Sequence, residues 1–162
     1  MKIGLLSYRS NPFSGGQGIY IKHLSLALVN LGHEVDVLSG PPYPELNQGV
    51  NLIKIPSLDL FELEDNLRLK SFKLGFLSNL TDLTEWLGVL SGGFPEPHTF
   101  GKRVDQYLKE SSVSYDLIHD NQSLCYALLN IQRRMPLVTT IHHPITRDHK
   151  LSLENAKNWK QR

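Results

Sequence analysis

The first forty residues constrain this chain more than any other stretch. An apolar strand, Lys2 to Tyr8, runs into the polar loop Arg9-Ser10-Asn11-Pro12-Phe13-Ser14, which closes on Gly15-Gly16-Gln17-Gly18. A helical pattern follows at once, with apolar residues at Tyr20, Leu24, Ala27, Leu28 and Leu31, while Lys22, Ser25 and Asn30 fall off that face. Gly32 is placed to cap the helix, and a second apolar strand, Glu34 to Ser39, begins two residues later. Strand, turn, helix and strand in this order make a βαβ crossover, which requires a parallel sheet. A glycine-rich turn at a helix start also offers bare backbone N–H groups and the positive end of a dipole to an anion.

The rest of the chain continues the α/β pattern with one interruption. Val50 to Ile55, ended by Pro56, reads as a third strand. Residues 57–98 are dense in Leu, Phe and Trp without alternation, and predict helices broken near Gly75 and ended by Gly92-Gly93. These helices are expected to pack on the sheet, or else to leave apolar surface for an acceptor, a lipid or a partner. Regularity returns with a helical face at Phe100, Val104, Tyr107 and Leu108 and a strand from Tyr115 to Asp120. A helix marked by Leu124, Leu128 and Ile131 follows, then a strand from Leu137 to Ile141 and a polar helical segment from Asp148. No further strand pattern follows that segment, so the 162 residues are expected to be one Rossmann-like, doubly wound domain continued elsewhere.

Composition narrows the function classes. Seventeen basic against 16 acidic residues give a net charge of +1, with no basic stripe for a nucleic-acid groove. One cysteine, Cys125, excludes an intramolecular disulfide and a Cys-rich zinc site, and its apolar setting predicts a buried structural thiol. No run approaches the roughly 20 apolar residues of a membrane span, and the N-terminus has no signal-peptide core. The expected location is cytoplasmic, which leaves the sequon Asn79-Leu80-Thr81 without consequence.

In open parallel sheets ligands bind beyond the C-terminal strand ends. Three polar clusters fall there: Tyr8 to Gly18, His119-Asp120-Asn121 and His142-His143. The glycine turn is no Walker loop, because no Gly-Lys-Ser/Thr follows. It fits a dinucleotide fingerprint poorly: Ile21 stands where the third glycine belongs, and Asp36 lies inside its strand rather than at the tip. Either a plain helix-start turn or backbone recognition of a phosphate or sugar remains. The two histidines have no carboxylate at metal-ligand spacing. No Gly-x-Ser-x-Gly elbow is present, and cleft carboxylates are too few for a two-carboxylate hydrolase.

Three segments carry a resemblance. Gly15-Gly16-Gln17-Gly18-Ile19-Tyr20 through Leu31-Gly32-His33-Glu34-Val35-Asp36-Val37, then Asp116 to Asp120, then Pro136 to His142, resemble glycosyltransferase family 4 in the family's order. The resemblance implies a GT-B architecture, two Rossmann-like domains across a cleft, and retaining transfer of a sugar from a nucleotide-sugar donor to an acceptor hydroxyl. The acceptor would be a carbohydrate, lipid-linked or small-molecule hydroxyl compound. It implies no required metal or cofactor. By the same analogy His142 is the catalytic candidate beside the transferred sugar, and Gly15, Gly16 and Gln17 face the donor diphosphate. Tyr8, Arg9 and residues of the 57–98 insertion form the acceptor side, with His119, Asp120 and Asn121 lining the same cleft. Peripheral membrane contact is a further expectation for the insertion. The family's donor nucleotide is held by a C-terminal domain with two glutamates eight positions apart, a spacing found nowhere in this chain. The chain alone is therefore expected to show no, or trace, activity. The competing readings are a non-catalytic α/β binding module and, less favoured, a nicotinamide-dependent oxidoreductase.

Overall fold

Strand β1 (Lys2–Ser7) sits at the centre of a five-stranded sheet in the computed structural model, which describes residues 1–13, 16–60, 63, 65–142 and 144–155. On one side it pairs with β2 (Glu34–Ser39), which pairs with β3 (Asn51–Lys54). On the other it pairs with β4 (Leu117–Asn121), which pairs with β5 (Leu137–Thr140). All pairings are parallel, in the order β3-β2-β1-β4-β5. The chain leaves β1 toward one edge and later returns to its other side. The loops after β1 and β4 therefore diverge, and a crevice opens at the C-terminal strand ends.

Alternation along the strands feeds two cores, as a doubly wound sheet requires. Ile3 and Leu5 of β1, with Val35 and Val37 of β2, pack against Ile21 of helix α1 (Gly16–Asn30). Leu6, Leu38 and Ile118 face the other way. There they meet Phe100, Val104 and Leu108 of a later helix (Glu96–Glu110) and Leu128 and Ile131 of another (Ala127–Gln132). Asp36 is buried inside β2, where its carboxylate accepts from Tyr115 Oη (2.8 Å) and Asn51 Nδ2 (3.0 Å). That carboxylate serves the fold, in keeping with its mid-strand position.

The buried seam of α1 differs from the expected one. Gly18, Ile21 and Ser25 are buried, while Leu31 is 73% exposed. Gly18 is buried beneath the β1–α1 loop, and Tyr20, Leu24 and Leu28 flank the seam. The Ser25 hydroxyl is satisfied by Lys22 O (3.1 Å). Leu31 lies past the last helical residue, where Gly32 (φ +84°) turns the chain; His33 N bonds Leu28 O and Gly32 N bonds Val29 O, a Schellman cap.

The insertion forms α2 (Asp65–Lys70), a 3-10 turn (Leu74–Ser78) that contains Gly75, and α3 (Leu80–Leu90). Asn79 caps α3, its side chain accepting from Thr81 N and Asp82 N. Packing on the sheet is only partly realised. Leu60, Phe76 and Val89 are buried, but Leu69, Leu74, Leu77, Leu80 and Leu87 are exposed. A polar anchor holds the insertion instead. Glu85 of α3 is fully buried and accepts from Leu58 N (3.0 Å), Thr99 Oγ1 (3.0 Å) and Arg103 Nη1 (2.5 Å). Arg103 also reaches Asp82 at 2.6 Å. Thr99 and Arg103 belong to α4 (Glu96–Glu110), which starts inside the expected insertion range.

Two strand-end expectations shift. Leu124 is 46% exposed with φ +47° and precedes α5 (Ala127–Gln132) rather than belonging to it. Ile141 is exposed beyond β5. Cys125 is buried as expected, and burial pushes its thiol pKa up. Helix α6 (Ile145–Asn155) covers part of the expected terminal helix; residues 156–162 lie outside the described residues. Among the described residues no helix is long and apolar enough to cross a membrane, and no group of three or more metal-ligating side chains is gathered.

Candidate functional site

Two glycines of the first turn have different jobs. A Cβ on Gly18 would lie 2.3 Å from Asn11 O and 2.8 Å from Ser10 O, so the β1–α1 loop packs directly on its backbone. A Cβ on Gly16 would meet no atom of the described residues within 4 Å. Gly16 opens onto a cleft of about 460 Å³ lined by Gly16, Gln17, Tyr20 and His142. The loop rests on buried serines: Ser10 Oγ donates to Ser7 Oγ (2.7 Å), and Ser10 N donates to Pro42 O (3.0 Å). The start of a 15-residue helix thus presents backbone and dipole to open space on a fixed support. Gly15 and His143 lie outside the described residues.

His142 arrives from the other side of the switch point, two residues beyond β5. Its backbone N–H donates to Gln122 Oε1 (2.7 Å), and its Nε2 lies 2.5 Å from Asn121 Oδ1. A carbonyl oxygen can only accept, so Nε2 carries the proton and Nδ1 is the basic ring nitrogen. The ring stands edge-on to Tyr20, centroids 4.7 Å apart at 82°. Tyr20 was legible only as part of an apolar helix face. Its place one turn beyond Gly16, on the same side of α1, is the signal that puts it in the cleft.

Behind His142 lies a polar chain. His119 Nε2 is 2.7 Å from Thr140 Oγ1, which lies 3.4 Å from Tyr20 Oη. Burial lowers the His119 pKa below its ordinary 6.5; Asp120 opposes this and His142 adds to it. His119 is half-buried and supports the cleft from beneath, through Thr140.

Asp120 corrects an expectation. It is fully buried, and its carboxylate accepts from Ser123 N (3.1 and 3.2 Å), Leu124 N (3.3 Å) and the Ser123 hydroxyl. Burial raises its pKa against the pull of those donors. The reason is alternation: Asp120 shares a face with Ile118 and its neighbour Leu6, opposite to that of His119, so its side chain turns into the 121–124 loop rather than the cleft. Asn121 is likewise buried, at 1% exposure, and reaches the cleft only through His142.

Tyr8 and Arg9 gather with the end of the insertion. Arg9 Nη2 pairs with Glu96 Oε2 at 2.6 Å, and its guanidinium lies 5.9 Å from the Phe94 ring. Tyr8 stacks edge-on against Phe94 (5.8 Å, 78°) and its hydroxyl is 3.4 Å from Gln17 Nε2. Burial raises the Glu96 pKa, with Arg9 as the opposing influence. Glu96 had no sequence signal; only the fold brings it 87 positions back to Arg9.

The site therefore joins an open helix start, a tautomer-fixed histidine and an aromatic, charged rim on one edge of the sheet. Comparison with known proteins gives the family. The family model of Glycosyltransferase Family 4 matches residues 14–162. An MMP alpha-(1->4)-mannosyltransferase of Mycolicibacterium hassiacum is 45% identical over 163 residues, covering 99% of this chain and 39% of the relative. The chain spans about two fifths of the length of that relative. Its all-parallel sheet, its helix start facing His142 and a family match over nearly its whole length place this chain in glycosyltransferase family 4.

Proposed function

We propose that this chain is the acceptor-side domain of a retaining glycosyltransferase that moves a hexose from a nucleotide-sugar donor to an acceptor hydroxyl. The observation that carries the proposal is the shared cleft: Gly16 and Gln17 at the α1 start and His142 beyond β5 line one cavity at the switch point. The helix start at Gly16 and Gln17 meets the donor diphosphate. Negative charge grows on that leaving group as the glycosidic bond breaks, so N–H groups aimed at it stabilise the transition state more than the ground state. His142 lies beside the transferred sugar, with Nδ1 able to accept from a sugar hydroxyl. Tyr8, Arg9, Phe94 and Glu96 form the rim toward the acceptor. The similarity to a mannosyltransferase favours mannose as the sugar.

The reaction needs no metal in this proposal, because the charge on the leaving group is met by N–H donors and by residues of a second domain. The chain alone turns over little or not at all. His142→Ala in the full-length protein should reduce sugar transfer at least tenfold with the melting temperature held, since His142 is exposed. Near-normal transfer by that variant would remove His142 from the mechanism.

A further inference from the structure

We propose that Asn121 and Gln122 are positioning residues that fix the main chain and the ring tautomer of His142. The inference rests on the reading of His142 given above. Neither residue needs to touch substrate: both are buried, at 1% and 4% exposure, beneath the histidine they hold. Gln122 Oε1 takes the His142 backbone N–H at 2.7 Å, and Asn121 Oδ1 takes Nε2–H at 2.5 Å. Two adjacent side chains from the end of β4 thus clamp one residue beyond β5 at two points.

The clamp is built at a conformational cost. Gln122 (φ +58°) and Leu124 (φ +47°) both occupy the left-handed region, which non-glycine residues rarely adopt. Asp120 holds them there by accepting from Ser123 N and Leu124 N at 3.1–3.3 Å. Asn121 carries a second cost: its Nδ2 is buried with no hydrogen-bond partner among the described residues, so the amide is not there to satisfy itself. A fold optimising stability alone would put an apolar side chain at 121. Strain and an unsatisfied amide concentrated behind one histidine are what a device for orienting that histidine would show.

The test uses the full-length protein and three variants. Asn121→Leu, close in size, removes the ring acceptor and the orphan amide together. Its melting temperature should be unchanged or higher, while kcat falls by tens of fold, up to roughly 100-fold, with the donor KM nearly constant. Asn121→Asp keeps the acceptor and adds a charge. A carboxylate beside Nε2 raises the His142 pKa, so the acid limb of the kcat/KM profile should move to higher pH by about one unit or more. Among the described residues the other titratable groups facing the ring are Tyr20 on α1 and His119 on β4, both unaltered in this variant. A purely structural Asn121 would leave that limb in place. His142→Ala is measured alongside. If it abolishes transfer while Asn121→Leu keeps wild-type kcat and Asn121→Asp keeps the wild-type profile, the positioning role is overturned and the reading of His142 stands. If His142→Ala itself is near normal, that reading falls first. Should Asn121→Leu fail to fold, the pH limb of Asn121→Asp decides alone.

Discussion

Replacing Gly16 and Gly18 one at a time separates the binding role of the first turn from its folding role. Gly18→Ala places a methyl 2.3 Å from Asn11 O, well inside contact distance, so the β1–α1 loop must shift. Overpacking of this kind costs about 1–3 kcal/mol, and at about 2–4 °C per kcal/mol for a chain of this size the melting temperature should fall by roughly 2–12 °C. Gly16→Val places its side chain where no atom of the described residues lies within 4 Å of the new Cβ. The gain from replacing glycine and the small penalty of a β-branched residue in a first helical turn nearly cancel. Its melting temperature should therefore stay within about 2 °C of wild type. The side chain does fill the approach to the helix-start N–H groups. Losing one hydrogen bond to a charged phosphate is worth about 1.5–3 kcal/mol, a roughly 10- to 150-fold weaker Kd. Calorimetric titration of the full-length protein with GDP and UDP, beside thermal melts, reads both effects. GDP and UDP carry the full leaving-group charge that the helix start is proposed to meet, so unchanged affinity for them in Gly16→Val would refute the placement of the diphosphate. A wild-type melt in Gly18→Ala would refute the packing argument.

Other perturbations test the frame around the site. Glu85→Ala strips the acceptor from a buried Arg103, Thr99 and Leu58 N–H cluster, and breaking a buried ion pair from one side costs about 3–5 kcal/mol; urea unfolding should show a loss of that size and proteolysis should reach the insertion first. Tyr115→Phe removes the buried bond to Asp36 and should cost about 1 kcal/mol in the same assay, because Asn51 still serves the carboxylate. His119 gives a pH signature. Its folded pKa is lowered by burial, so between that value and 6.5 the unfolded chain binds more protons, and stability rises with pH. Its contribution is complete above pH 6.5 and lost as pH falls through the window; urea midpoints from pH 7.5 to 5 should fall more steeply for wild type than for His119→Asn.

Much of this was legible in the sequence, and the failures have physical causes. The βαβ unit was readable because period-3.6 and buried-strand patterns alternate with glycine at both helix ends. The seam of α1 was misplaced because hydrophobicity marks what wants burial, whereas Gly18 is buried because the β1–α1 loop packs on its backbone. Asp120 was assigned to the cleft because a polar strand end usually points at one. Its donors are the backbone N–H groups of Ser123 and Leu124, and no residue pattern announces backbone geometry. The insertion was the least readable part, because Glu85 and Arg103 carry its anchoring while many of its leucines stay exposed. Glu96 and Gln122 were invisible for a simpler reason: their partners lie 87 and 20 positions away.

The charge of the cleft bears on how half of such a site could work. A sugar diphosphate brings at least two negative charges. The α1 start supplies the equivalent of about +0.5, and no Lys or Arg is among Gly16, Gln17, Tyr20 and His142. Arg9, on the rim, is engaged by Glu96. A wall of this kind orients an anion without neutralising it. That is a poor basis for tight ground-state binding and a sound one for catalysis. Fixed N–H groups interact in proportion to the charge opposite them, so their hold strengthens as the leaving phosphate gains charge. In the proposed enzyme the bulk of the nucleotide's affinity would then come from cationic residues on the facing domain. The residues of this chain would act chiefly on the difference between bound substrate and transition state. The two-point clamp on His142 belongs to the same logic, since a group that acts on that difference has to be held before the charge appears.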